Sequence, residues 1–180
     1  MVAAIAVADV LLGNAEPLRL LGADAFAFGL IPWAMAFAGA GVRLWGAGNL
    51  RKNREVTRTG IYRMVRHPLY LGNCLLYLAL LLSLGDPVVG IVLFLVLLFG
   101  VHYPVMFQEE ARLAGEYPEQ AAVWKGTPRL LPNLLALPDA LASDRFSFGR
   151  ALRNRGLSGF WGVVLLPAIT EGLVLLRNLG

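Results

Sequence analysis

Residues 68–107 read PLYLGNCLLYLALLLSLGDPVVGIVLFLVLLFGVHYPVMF, and this stretch decides the fold. Two apolar runs, Pro68 to Leu84 and Val88 to Phe107, flank the tight turn Gly85-Asp86-Pro87. The opening proline suits the first turn of a helix, where its missing N–H has no helical partner to lose. At 1.5 Å per residue, the 20 residues of the second run reach about 30 Å, the thickness of a bilayer's hydrocarbon core. The two runs are read as a membrane hairpin, with Pro104 kinking the second helix near its end.

Ala25 to Gly48 is a further run, apolar except for Arg43, which lies near one end where its side chain can snorkel. Leu157 to Leu176 is a fourth candidate, interrupted by Pro167 and Glu171. Glu171 is read as reaching the outer interface beside Arg177. Val2 to Leu12, at about 16 Å of helical rise, is too short to cross straight and is left as tilted, interfacial or broken. The expected fold class is therefore all-α, a multi-pass integral membrane protein with four or five transmembrane helices. Composition agrees: the chain is 57% hydrophobic and 16% charged with a mean hydropathy of +0.62, against about 45–50% apolar content for soluble domains. Its 180 residues are read as one domain, 1–180. Met1 to Asn14 has no basic leading region and no obvious cleavage site, which argues against a signal peptide. The single cysteine, Cys74, excludes an internal disulfide and is read as packing; with only His67 and His102 beside it, no metal site is expected. Gly39, Gly41, Gly46 and Gly48 are read as points of close helix approach.

Charge orients the hairpin. Arg51, Lys52, Arg54, Arg58, Arg63 and Arg66 precede it, and Arg112, Lys125, Arg129, Arg145, Arg150, Arg153 and Arg155 follow it, so 13 of the 16 basic residues occupy two segments. An even number of crossings separates those segments, and the positive-inside rule puts both on the cytoplasmic face. Attraction to anionic headgroups accounts for the basic excess, and no aromatic-basic interleaving points to nucleic acid. The piece Phe146 to Arg155 is amphipathic and is expected to lie on the headgroups.

Two polar clusters fall on that face. Arg66, His67, Pro68 and Tyr70 gather a cation, a titratable donor, a helix-starting proline and a phenol where a helix presents free N–H groups and the positive end of its dipole. A ligand carboxylate would be held there, with Arg66 adding charge-assisted hydrogen bonds. Gln108-Glu109-Glu110 stands at the same end of the following helix, and carboxylates at the hydrocarbon boundary are costly enough to signal function. Adjacent helical residues point about 100° apart, so one glutamate can face a pocket while the other meets a basic partner. Together the clusters suit a zwitterionic, cationic ligand, and S-adenosyl-L-methionine is one, its adenine requiring an apolar or aromatic slot.

Arg43-Leu-Trp-Gly-Ala-Gly48, Gly60-Ile-Tyr-Arg-Met-Val-Arg-His-Pro-Leu-Tyr-Leu-Gly72, Glu109-Glu-Ala-Arg-Leu113 and Thr127-Pro-Arg-Leu-Leu-Pro132 resemble the isoprenylcysteine carboxyl methyltransferase family and the related phospholipid methyltransferases. The resemblance covers about residues 40–135 and leaves 136–180 as an interfacial segment and extra span. It implies a helical membrane methyltransferase using S-adenosyl-L-methionine, with a cofactor pocket at the cytoplasmic face open to membrane lipids and to a lipophilic methyl acceptor; no protein partner is evident. It assigns cofactor contacts to Tyr62, His67, Pro68, Leu69, Tyr70 and Glu109, and to the stretch Arg54 to Thr57 with Glu55 and Val56. Glu110, Arg66 and Arg129 are the catalytic candidates that position the acceptor. The acceptor stays open among a prenylated or other lipophilic carboxylate, a phospholipid amine and a small thiol. Val105 stands where enzymes acting on prenylated cysteine carry an arginine, and Trp124 where a tyrosine is usual. The competing class is a membrane scaffold without chemistry, which has no use for the polar cluster.

Overall fold

The computed structural model describes residues 25–52, 55–82, 87–122, 126–161 and 165, and every regular element among them is helical. Helix α1 (Ala25–Asn49) is followed by a 3₁₀ turn (Gly60–Arg63), α2 (Pro68–Leu82) and α3 (Pro87–Leu97). A π-helical turn (Leu98–His102) joins α3 to α4 (Tyr103–Glu116). The shorter α5 (Pro118–Ala122), a 3₁₀ turn (Leu134–Ala136), α6 (Leu137–Ala142) and α7 (Phe148–Arg153) complete the order. Val2 to Leu12, most of Leu157 to Leu176, and Gly85 and Asp86 lie outside the described residues.

Among the described residues one helix, Val88–Glu116, is long and apolar enough to cross a membrane, with a mean hydropathy of 2.4. Apart from buried Met106, its apolar side chains are not in a core: Val88, Val96 and Phe99 are each more than 60% exposed. Pro104 stands just after a local change of helix type. Its ring has no N–H for the carbonyl four residues back, at Gly100, and the chain there widens into the π turn Leu98–His102. The turn carries buried His102, whose Nδ1 lies 3.2 Å from the Leu97 carbonyl oxygen.

Helices α1 and α2 pack through small residues. A β-carbon on Gly39 would come 2.9 Å from the Gly72 carbonyl oxygen, and one on Gly46 would come 3.2 Å from the Pro68 ring. Ala36, Leu76 and Ala79 fill the seam between them. Gly48 also serves close approach, its partner being the Phe146 ring; Gly41 faces open space and has no packing role.

That close approach changes the reading of Arg43. Instead of snorkelling to water, its guanidinium is buried and distributes its donors over neutral oxygens. Nε donates to the Gly156 carbonyl at 3.2 Å, Nη1 to Asn73 and to the Leu69 carbonyl, and Nη2 to the Arg155 carbonyl at 3.0 Å and Ser158 Oγ at 2.5 Å. One side chain thus ties α1, α2 and residues 155–158 together.

The C-terminal segment closes the end of α1, where helical carbonyls lack partners. Ser147 N donates to the Gly48 carbonyl at 3.1 Å and Arg150 Nε to the same oxygen at 2.9 Å. Asn154 Nδ2 reaches the carbonyls of Ala47 and Leu50 at 2.9 and 3.0 Å. Asp144 Oδ1 accepts from Asn49 Nδ2 at 2.6 Å and from Trp45 Nε1 at 3.1 Å. Buried Ala151 faces α1 while Phe148 and Leu152 stay exposed, so the amphipathic piece docks on α1 with one face and keeps the other free.

Candidate functional site

Local sequence builds the mouth of the site. Gly60 adopts φ +58°, a conformation that glycine takes without the strain a β-carbon brings, and its bare Cα lets the Asn49 side chain approach to 2.5 Å from where a β-carbon would sit. The chain then turns through Gly60–Arg63, placing Tyr62 at the cavity, and reaches α2 by a short step over residues 64–67. That step is braced by residues 128–133: Arg66 N donates to the Pro128 carbonyl at 2.8 Å, His67 N to Arg129 O at 3.2 Å, and Asn133 N to Met64 O at 2.9 Å. The backbone N–H groups of Arg66 and His67, just before α2, are therefore taken. With Pro68 having none and Leu71 N bonded to His67 O, Leu69 and Tyr70 carry the amides of the first turn.

A cavity of about 610 Å³ opens between these elements, within the range that holds small ligands. Glu55, Val56, Tyr62, His67, Pro68, Leu69, Tyr70 and Glu109 all line it, as does Arg66. Residues as distant as 55 and 109 therefore share one wall system, as the two-cluster reading requires. The Tyr70 phenol hydrogen-bonds Glu109. Burial, and secondarily the charge of Glu109, pushes the Tyr62 phenol far above its ordinary range, so it stays a neutral donor.

The two glutamates diverge. Glu109 faces the cavity, whereas Glu110 turns away from it to three basic partners. His67 Nε2 lies 3.0 Å from Glu110 Oε1, Arg66 Nη1 3.4 Å from Oε2, and Arg129 Nε 3.1 Å from both oxygens. Burial raises the carboxyl's pKa, but hydrogen bonds from His67 and Arg129 outweigh it and hold Glu110 below the ordinary glutamate range. The carboxyl lies beyond Phe107, past the apolar stretch. Arg66 is further committed, its Nε donating to the Thr127 carbonyl at 2.5 Å. Arg129 is half-exposed and sits over the Phe107 ring, 4.6 Å from its centroid. Of the three catalytic candidates, only Arg66 lines the cavity; Glu110 and Arg129 stand behind its wall.

Sequence reasoning missed part of the lining. Arg43, Lys52, Asn73, Arg112, Arg153, Asn154 and Arg155 also line the cavity. Arg43 gave a signal, as the lone cation of an apolar run; the 153–155 turn gave none, because nothing in its spacing ties it to α1. Among the described residues no cluster of His, Cys, Asp or Glu is placed to hold a metal ion.

Comparison with known proteins settles the family. The family model for phospholipid methyltransferases (PEMT) matches residues 18–120, more than half of the chain. The chain belongs to the phospholipid methyltransferase family. The family is membrane-associated, and the matched stretch includes the cavity walls contributed by α1, α2 and α4. The cobalt-zinc-cadmium resistance protein CzcN of Cupriavidus metallidurans is 36% identical over 95 residues, which are 51% of this chain and 43% of that relative. The match thus spans less than half the length of the curated relative. No solved structure matches. The family stretch ends before the 144–158 segment that closes the cavity.

Proposed function

We propose that the chain transfers a methyl group from S-adenosyl-L-methionine to a lipophilic acceptor at the cytoplasmic face of a membrane. The observation that carries this reading is the joint cavity: Glu109 from one cluster, and His67, Pro68 and Tyr70 from the other, line a single space of about 610 Å³ together with Tyr62 and Leu69. These residues fit the cofactor. Glu109 would take its cationic and hydroxyl groups, the α2 start its carboxylate, and Val56, Pro68, Leu69 and Tyr62 its adenine. When bound, it supplies a methyl group already activated on a sulfonium.

The protein's task is then alignment and exclusion of water, since displacement requires the acceptor atom about 3–3.5 Å away and in line. Glu110, held ionised by His67 and Arg129 and also bonded by Arg66, positions the wall of the site. If the acceptor is an amine, Glu109 is placed to receive its proton; a carboxylate acceptor needs no base.

The membrane reading proposes several crossings, with both basic segments and the cavity on the cytoplasmic side. The exposed apolar surface of Val88–Glu116 supports a lipid surround. Leu131, Leu134, Leu135, Phe148 and Leu152, all exposed, support an interfacial position for the segment around α6 and α7. Two acceptors compete. An isoprenylcysteine-like carboxylate follows from the sequence resemblance, while a phospholipid amine is favoured by the family match and by Val105 in place of an arginine. Incubating the protein in nanodiscs with methyl-labelled cofactor and a membrane lipid extract tests the proposal. Label is expected in a lipid fraction, as an amine adduct or a base-labile ester; label confined to water-soluble products contradicts it.

A further inference from the structure

The cavity wall missed by sequence carries unbalanced charge. Lys52, Arg153 and Arg155 line the cavity, and among the described residues no carboxylate lies within ion-pair distance of any of them. The other cations of the lining are committed: Arg43 to neutral oxygens, Arg66 to Glu110, and Arg112 to Glu116 at 3.3 Å.

Arg155 is also the one non-glycine residue in the left-handed region among the described residues, at φ +54°. Its place is the position after the cap of α7 in a complete Schellman turn. Gly156 N donates to the Ala151 carbonyl at 2.8 Å and Arg155 N to that of Leu152 at 3.0 Å. Glycine is the usual occupant there because a β-carbon is disfavoured. Here the backbone is fixed by Arg43, which binds the carbonyls of both Arg155 and Gly156. The turn thus presents Arg155 at the cavity in a backbone conformation that arginine adopts reluctantly, and strained backbone concentrates where a side chain is needed.

We propose that Arg155, with Arg153 and Lys52, forms a subsite for an oxyanion, phosphate or carboxylate, carried by the methyl acceptor. The inference rests on the methyltransferase reading for what occupies the rest of the cavity. It assigns acceptor recognition to the segment after the family-matched residues 18–120. A planar guanidinium offers paired donors to such a group, and charge-assisted bonds of this kind are the strong ones.

The test uses the full chain in neutral detergent with three probes: S-adenosylhomocysteine, inorganic phosphate and dihexanoylphosphatidylethanolamine below its micelle concentration. In Arg155→Gly the turn receives its preferred residue, so the variant should melt no lower than the parent. Its affinity for the short-chain lipid should fall about tenfold or more, Arg155→Lys should lose about threefold or less, and S-adenosylhomocysteine binding should hold within about twofold. Inorganic phosphate that binds and is weakened by the same change identifies the bare oxyanion as sufficient; binding by the lipid alone identifies the headgroup, and either supports the subsite. Unchanged lipid affinity in well-folded Arg155→Gly overturns it, as does an equal loss of S-adenosylhomocysteine binding, which would move the arginine to the cofactor. Arginine-dependent lipid binding in a protein that never binds S-adenosylhomocysteine would leave the subsite standing and remove the methyltransferase reading.

Discussion

His67 Nε2 stands 3.0 Å from Glu110 Oε1, joining the start of α2 to α4 across 43 residues of chain. The same carboxylate takes Arg129 and Arg66, so one side chain fastens three segments at the rim of the cavity. Glu110→Ala leaves a buried histidine and two guanidiniums without their acceptor, at a cost of about 1–3 kcal/mol. Thermal melting in detergent should show that loss, while Glu109→Ala melts close to the parent. Equal melting temperatures for the parent and Glu110→Ala would contradict the clasp.

Acid should undo the same contact. The folded-state pKa of Glu110 lies below its ordinary value, so its stabilisation is fully present above about pH 4.5 and is lost as pH falls through the lowered folded value. Melting curves taken from neutral to acid pH should decline more steeply in the parent than in Glu110→Gln, which has no carboxyl to protonate. Parallel declines would assign the acid sensitivity to other groups.

Glycine positions separate conformation from space. At Gly60, with φ +58°, a methyl group would lie 2.5 Å from Asn49 Nδ2, so Gly60→Ala should cost about 1–2 kcal/mol from the backbone alone. Asn49 also accepts from Arg145 N at 3.0 Å, so the change should loosen the 144–156 segment and hasten tryptic cleavage there. Gly41→Ala meets nothing within 4 Å and sits in α1, where alanine is the better helix former. It should melt at or above the parent temperature, and a drop comparable to that of Gly60→Ala would contradict the packing described.

Arg43→Met keeps an apolar stem in α1 but strands the carbonyls of Arg155 and Gly156 and the side chains of Asn73 and Ser158. Proteolysis of the C-terminal segment should accelerate without loss of the α1–α2 pair, which is seated on Gly39, Gly72 and Ala36. Unaltered protection of residues 144–158 would show that the capping bonds alone hold the segment.

The legible part of this chain was what periodicity and local chemistry write down. Ala25 to Gly48 gives α1 because an apolar run interrupted only by Arg43 has one economical backbone, and Pro68 opens α2 because its ring fits the first turn. The pairing of His67 with the Glu109-Glu110 step was legible from hairpin geometry, and the divergence of the two glutamates from helical pitch. Arg43 was misjudged because snorkelling and burial look alike in sequence; the partner that decides between them, Gly156, is 113 residues away. The bracing of the Arg66 and His67 N–H groups was not legible, because the segment that takes them, 128–129, has no strand-like pattern of its own. The C-terminal wall stayed hidden for the same reason: its bonds are to backbone carbonyls, and those carry no residue signature.

Titration calorimetry of S-adenosylhomocysteine into the detergent-solubilised chain, with Glu109→Ala beside it, tests the central claim most directly. Saturable one-to-one binding by the parent, reduced at least about tenfold in a Glu109→Ala protein of unchanged melting temperature, is the predicted result. Folded parent protein that shows no binding, or Glu109→Ala with undiminished affinity, would contradict it.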